Sequence, residues 1–375
     1  MLPFREFHLV SLLEGFEKTT LPLDLFVSIY FKEHKALGSK DRAQISDQVF
    51  ALIRYKGLLD ALASNQNWVD RLQLFKKLEP ISEKRFTHLA PFYEVSFPKE
   101  LFELFEENFG LEKAKDICRI CNTKAPTTVR VNTKKISRQD MLKKWSENYQ
   151  VRPTLLSPNG IIFIEKTHFY SMPEFKDGLF EIQDEASQLV SYLIKVKESD
   201  LVLDYCAGAG GKSLAIAPNM HGKGQIFLHD IRKKALIDAK ERLKRAGIQN
   251  YQIVFSDEAS KLKKLKKLMD WVLVDSPCSG TGTLRRNPDM KWRFKKEALT
   301  SLIGEQRNVF EKALSFLKKD GHIVYATCSM LKEENEEQVN HFIKTYNLEI
   351  VETFKSLPSL NGMDGFYAAC LKRVV

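Results

Sequence analysis

The chain has 375 residues, 43% of them hydrophobic and 28% charged, and carries a formal net charge of +10. That length exceeds one ordinary domain, so two or three are expected, and the basic balance favours a polyanionic partner. No apolar run approaches the ~18 residues of a membrane span and the amino terminus lacks a secretory pattern, so the expectation is a cytoplasmic monomer with no membrane partner. The six cysteines are too sparse for a disulfide framework, and Cys118-x-x-Cys121 has no second pair or nearby histidines to complete a metal site.

Residues 1–125 read as helical. Phe4, Phe7, Val10 and Leu13 recur at helical spacing, as do Ile45, Val49, Leu52 and Ile53. Gly38-Ser39 before Asp41-Arg42 marks a break and a new helix start. Nothing here suggests chemistry, and a docking domain is expected. At Pro126 the texture changes. Thr127–Asn132 alternates like a strand, Ser137–Trp145 reads as a helix and Gly160–Ile164 as another strand, giving a small α/β subdomain over 126–178.

From 179 to 375 strands and helices alternate. Near-continuously apolar strands are expected at Leu201–Asp204, Gln225–Asp230, Gln252–Phe255, Trp271–Asp275 and His322–Thr327, with helices around 232–246 and 299–318. This pattern means a doubly wound, mostly parallel α/β sheet. Phe366–Leu371 is expected to close it as an edge strand. The lysine-rich stretch after Asp257 reads as a solvated amphipathic helix.

The first of these strands runs into Asp204, Tyr205, Cys206, Ala207, Gly208, Ala209, Gly210, Gly211, Lys212 and Ser213. A glycine turn between strand and helix lets backbone approach a ligand at the carboxyl edge of a parallel sheet. Ser213 excludes the dinucleotide fingerprint. The P-loop pattern nearly fits, but Cys206 stands where it needs glycine. A pocket for a nucleoside-bearing cofactor such as S-adenosylmethionine is the third reading, and the loop alone does not decide. Asp230 follows at the ~20-residue distance of an acid that accepts from ribose hydroxyls. Asp257 is placed to accept from an adenine amino group. Asp275 stands at the tip of a later strand.

Two cysteines follow strand ends: Cys278, in Asp275-Ser-Pro-Cys-Ser-Gly-Thr-Gly282, and Cys328, in Thr327-Cys-Ser329. Beside an acid and a cofactor pocket they suggest nucleophilic catalysis. Methylation of cytosine at C5 needs such a set. C5 is not nucleophilic until a thiolate adds to C6, an acid bonded to N3 offsets the charge on the ring, and a base removes the C5 proton so that the thiol can leave.

The motifs Cys206–Lys212, Asp275–Gly282, Arg286–Trp292, Thr327–Ser329 and Gly362–Phe366 resemble those of the RNA cytosine-C5 methyltransferases of the Sun family, which includes bacterial RsmB and eukaryotic nucleolar relatives. The resemblance covers 126–375 and implies a Rossmann-like methyltransferase sheet with S-adenosyl-L-methionine as cofactor. It implies that Cys328 attacks C6, that Cys278 helps eliminate the product and that Asp275 contacts the cytosine ring. Cys206–Lys212, Asp230, Asp257 and Asp275 would line the cofactor pocket, with Lys212 also near the target base. The family loop usually reads C-A-A-P-G-G-K, so Gly208 and Ala209 depart from it, which bears on cofactor affinity. Less specifically, residues 1–125, through Gly38–Arg42, resemble the NusB-like helical domain of the 16S rRNA members, which favours 16S rRNA over tRNA as substrate.

Arg130 and Asn132 are candidates for RNA backbone contact, although a strand-edge structural role fits equally. Arg285, Arg286, Lys291 and Arg293 around Trp292 suit phosphates and unstacked bases. The rivals are a P-loop NTPase, a non-catalytic RNA-binding assembly factor and a DNA cytosine methylase, which would use Cys278 as nucleophile and leave Cys328 unexplained.

Overall fold

A computed structural model describes residues 2–78, 81 and 86–374. It divides into two compact units, Met1–Lys124 with Thr283–Ala298, and Ala125–Gly282 with Leu299–Val375. None of the described helices is long and apolar enough to cross a membrane.

The first unit is helical. Helices Phe4–Glu17, Leu23–Glu33, Ser39–Leu62 and Trp68–Leu78 bury one apolar face each. Leu9, Leu13, Leu23, Val49, Leu52 and Leu72 share the resulting core. The helix expected to start near Asp41 begins at Ser39, where the Asp41 carboxylate accepts the Gly38 N–H. Cys118 and Cys121 are buried on helix Leu111–Cys121, on its apolar face.

Residues 283–298 belong to this unit, a departure from the single catalytic domain expected over 179–375. The Trp292 indole donates to the Ile53 carbonyl at 2.7 Å. It lies so close to Gly57 that a Cβ there would stand 2.7 Å from the ring. The Lys291 ammonium is buried and donates to Arg54 O, Ser96 O and Asn122 Oδ1, each at 2.7 Å. Arg285 is 0% exposed, and its carbonyl accepts from Arg54. Arg293 spends its guanidinium on the Thr20 and Leu21 carbonyls, and Arg286 is half-buried. The RNA contacts expected of Arg285, Lys291 and Trp292 therefore give way to a packing role. The Lys291 ammonium spends its three donors on these acceptors, which offsets its desolvation cost and leaves none for phosphate. Arg293 is exposed and keeps N–H groups beyond the two it gives to carbonyls.

The second unit holds two sheets. The smaller consists of β1 (Thr127–Val131), β2 (Val151–Pro153), β3 (Gly160–Phe163) and β4 (Phe180–Ile182), antiparallel in the order β2-β3-β1-β4. Helix Arg138–Ser146 covers it with Met141 and Trp145. The larger contains β5 (Leu201–Asp204), β6 (Gln225–Asp230), β7 (Tyr251–Phe255), β8 (Met269–Asp275), β9 (Leu317–Thr327), β10 (Leu348–Ser356) and β11 (Phe366–Arg373). Their order is β10-β11-β9-β8-β5-β6-β7. The pairs β6–β7, β5–β6, β5–β8 and β8–β9 are parallel, and β11 is antiparallel to both neighbours. Apolar side chains on both faces, Val202, Leu228 and Leu273 on one and Leu203, Val272 and Val274 on the other, bury the sheet between two cores.

One expectation fails here. Phe366–Leu371 does not close the sheet: β11 is interior, and β10 forms the edge. The lysine-rich stretch after Asp257 is a short solvated helix, Ala259–Lys264, with Leu262 and Leu265 leaning on the core.

Candidate active site

The strand order reverses at β5, whose neighbours are β6 on one side and β8 on the other. Ligands in open α/β sheets bind at the carboxyl ends of strands flanking such a reversal. The loops after β5, β6, β8 and β9 leave from that edge, and they carry the residues singled out in the sequence.

The loop after β5 turns through Gly208 at φ 52° and Gly210 at φ 74°, backbone conformations that side chains resist. At Gly210 space is also short, since a Cβ would stand 3.1 Å from that of Ala239. The helix that follows, Ser213–Ile216, is a single turn. Ala207 N–H donates to the His229 carbonyl, and Gly208 N–H to Asp230 Oδ2 at 2.8 Å. Arg242 holds the Ala209 carbonyl, and Arg130 holds that of Gly211 at 3.0 Å.

Arg130 is thus buried under the loop, bonded also to Gln183. Asn132, equally buried, donates to the carbonyls of Gly178 and Ala246 at 2.9 Å. Both brace the backbone inside the unit, so the RNA contacts proposed for them are replaced by the structural alternative.

The strand-tip acids sit in different surroundings. Asp204 is fully buried. Burial pushes its carboxyl up to about 7, against the hydrogen bond from Ser213 that pulls the other way. Its Oδ1 is buried with no hydrogen-bond partner. Burial opposes ionisation of Asp230 too, but hydrogen bonds from Arg232 and from Gly208 N–H hold it below the usual carboxylate range. Asp257 lies at the surface, 3.9 Å from Lys233. Asp275 takes the Lys212 ammonium at 2.5 Å, which ties the loop after β5 to the end of β8. Burial, and then the negative field of Asp204, push the Cys206 thiol upward, so it stays protonated.

The two other loop cysteines come together. Parallel pairing sets Asp275 beside Ala326, so Cys278 and Cys328 leave adjacent strands at nearly the same level. Their sulfurs are 3.4 Å apart. The shared hydrogen bond, followed by burial, pushes the Cys278 thiol well above its ordinary range. Either sulfur can be the donor in this contact.

Several residues around this pair escaped the sequence reading. Glu334, 0% exposed, accepts from Ser279 N–H, Ser279 Oγ, Ser329 Oγ and Gln306 Nε2. The Gly362–Phe366 segment reaches the site through Gly365 N–H, which donates to Gly282 O at 2.9 Å. A Cβ on Gly282 would stand 1.9 Å from Gly365 O. Among the described residues no cluster of His, Cys, Asp and Glu could hold a metal ion.

The site fits a nucleoside-bearing cofactor with a cationic head. Glycines at positive φ leave the loop backbone free of side chains, and Asp230 at the end of β6 holds the Gly208 N–H beside it.

Residues 191–372 match the family model described as 16S rRNA methyltransferase RsmB/F. Residues 97–169 match the ferredoxin-like domain of RsmF/B-like methyltransferases. Ribosomal RNA small subunit methyltransferase B of Vibrio vulnificus is 31% identical over 327 residues, 85% of this chain and 74% of that protein. The probable ribosomal RNA small subunit methyltransferase B of Bacillus subtilis is 31% identical over 304 residues, 75% of this chain and 67% of that one. A methyltransferase homologue from Pyrococcus horikoshii has a similar structure, with a TM-score of 0.67, 25% identity, and coverage of 76% of this chain and 98% of that one.

Proposed function

This chain belongs to the RsmB/F family of 16S rRNA methyltransferases, and from that premise we propose that it methylates C5 of a cytosine in 16S rRNA through a covalent adduct between Cys328 and C6. S-adenosyl-L-methionine, the methyl donor, supplies an electrophilic methyl group when bound. The residues that would hold it are Cys206–Lys212, Asp230 and Asp257, with Asp275 between cofactor and base.

The remaining work falls to this chain. The target base must be single-stranded or extruded to reach the edge of the sheet. The Cys328 sulfur, as thiolate, forms a bond to C6 and turns C5 into a carbanion-like centre that takes the methyl group. The Lys212–Asp275 pair would deliver a proton to N3, the carboxylate passing it on and the ammonium replacing it, and so offset the charge arriving on the ring. A base then removes the C5 proton, the C6–sulfur bond breaks, and its electron pair returns to Cys328. Cys278 serves this elimination half.

The observation that carries the reading is the pair of sulfurs 3.4 Å apart. Two thiols within contact distance at a methyltransferase's ligand edge suit a reaction that must both form and break a carbon–sulfur bond. Bisulfite mapping of rRNA from a deletion strain tests it. One 16S cytosine loses its methyl group, and the gene regains it as wild type but not as Cys328→Ala. Restoration by Cys328→Ala would refute the assignment.

A further inference from the structure

We infer that Glu334 is the positioning residue that sets the spacing of the two reactive sulfurs. The inference rests on the reading of Cys328 and Cys278 as the catalytic pair. Ser279 directly follows Cys278, and Ser329 directly follows Cys328. One carboxylate binds both: Oε2 accepts from Ser279 Oγ and Ser329 Oγ, each at 2.5 Å, and Oε1 accepts from Ser279 N–H at 2.8 Å. Gln306 donates to Oε1 at 2.9 Å and to the Pro277 carbonyl at 3.1 Å, so it grips the residue preceding Cys278 as well.

Direct bonds also join the loops farther from the sulfurs, Gly282 N–H to Cys328 O at 2.9 Å and Met330 N–H to Thr281 Oγ1 at 3.0 Å, but the Glu334 carboxylate holds the residue after each cysteine at once. Loops from neighbouring parallel strands diverge once the ladder ends, and here it ends at Asp275 and Ala326. Past that point Glu334 bridges the two loops through Ser279 and Ser329. Glu334 lies too deep to touch a substrate, at 0% exposure. A buried carboxylate is costly to keep without a cation, and four donors make it tolerable. Asn335 reinforces the same loop, accepting from Thr327 Oγ1 at 2.6 Å and donating to Ser329 O at 3.0 Å.

The test uses the full-length enzyme and two readouts. A short bifunctional thiol reagent, dibromobimane, reports the proximity of Cys278 and Cys328 by cross-link yield, with no RNA present. Steady-state methylation reports kcat and KM. Glu334→Ala is expected to lower both the cross-link yield and kcat, the latter about a hundredfold as for an ångström of misplacement, with the KM for S-adenosylmethionine unchanged. Glu334→Gln restores most of both, because serine hydroxyls can accept from the amide as readily as they donate to a carboxylate. If Glu334→Ala does not fold, Ser279→Ala combined with Ser329→Ala removes the two hydroxyl struts and is expected to give the same paired loss. Wild-type cross-linking in a folded Glu334→Ala or in the double serine variant overturns the inference. Loss of cross-linking in an enzyme whose Cys328→Ala form still methylates would instead uphold the spacing role and overturn the catalytic reading beneath it.

Discussion

Replacing Lys291 by methionine separates its two possible roles. The side chain keeps its length but loses the ammonium that donates to Arg54 O, Ser96 O and Asn122 Oδ1. Each deprived acceptor costs about 1 kcal/mol net, so the variant should lose about 3 kcal/mol. A unit of this size shifts its midpoint by roughly 2–4 °C per kcal/mol, which predicts a drop of about 6–12 °C. The measurement is thermal unfolding followed by Trp292 fluorescence, since that indole lies 4.9 Å from the ammonium. RNA binding is measured in parallel against salt, well below the midpoint. A phosphate-contacting lysine would reduce the slope of log affinity against log salt by about one. A variant that melts like wild type and loses that unit of slope refutes the packing role.

Cys278→Ala should accumulate a protein–RNA adduct, seen as a slow band on a denaturing gel and absent from the Cys278→Ala, Cys328→Ala double variant. Gly282→Ala forces a Cβ to within 1.9 Å of Gly365 O and 2.8 Å of Cys328 O, so the cysteine loops must part. Its kcat should fall about a hundredfold at near-normal cofactor affinity, measured by calorimetry. Asp204 binds its proton more tightly folded than unfolded, about 7 against 3.8. Its contribution to stability is therefore complete below pH 3.8 and disappears as pH rises through 7, an upper bound of about 4 kcal/mol. Asp204→Asn should gain stability relative to wild type as pH rises from about 4 to 7 and keep that gain above it, read as the difference in melting temperature; a difference independent of pH contradicts this.

The parallel strands were legible because burial on both faces demands apolar runs such as Leu201–Leu203 and Trp271–Val274, bounded by turn residues. The glycine loop and both strand-end cysteines were legible because short motifs keep their spacing whatever surrounds them. The edge strand β10 escaped notice because most of it is exposed, so its sequence carries glutamates and lysine where a core strand has only apolar residues. Lys291 and Arg285 were read as surface cations because charge is rarely buried; only the three-dimensional arrangement supplies the carbonyls that make it tolerable here. Glu334 was hidden in Lys332–Glu337, a run that reads as solvated charge, and nothing local marks it as the one acid that turns inward.

The helical unit takes its last segment, Thr283–Ala298, from far along the chain. A nascent polypeptide therefore cannot finish this unit when residue 124 leaves the ribosome. At roughly 5–20 residues per second the wait is about 9–35 s. Through that interval the helices hold an open seat for Trp292 beside Gly57, and the apolar surface left bare there is what chaperones bind. An expression fragment ending at Lys124 would remain in that half-finished state for good.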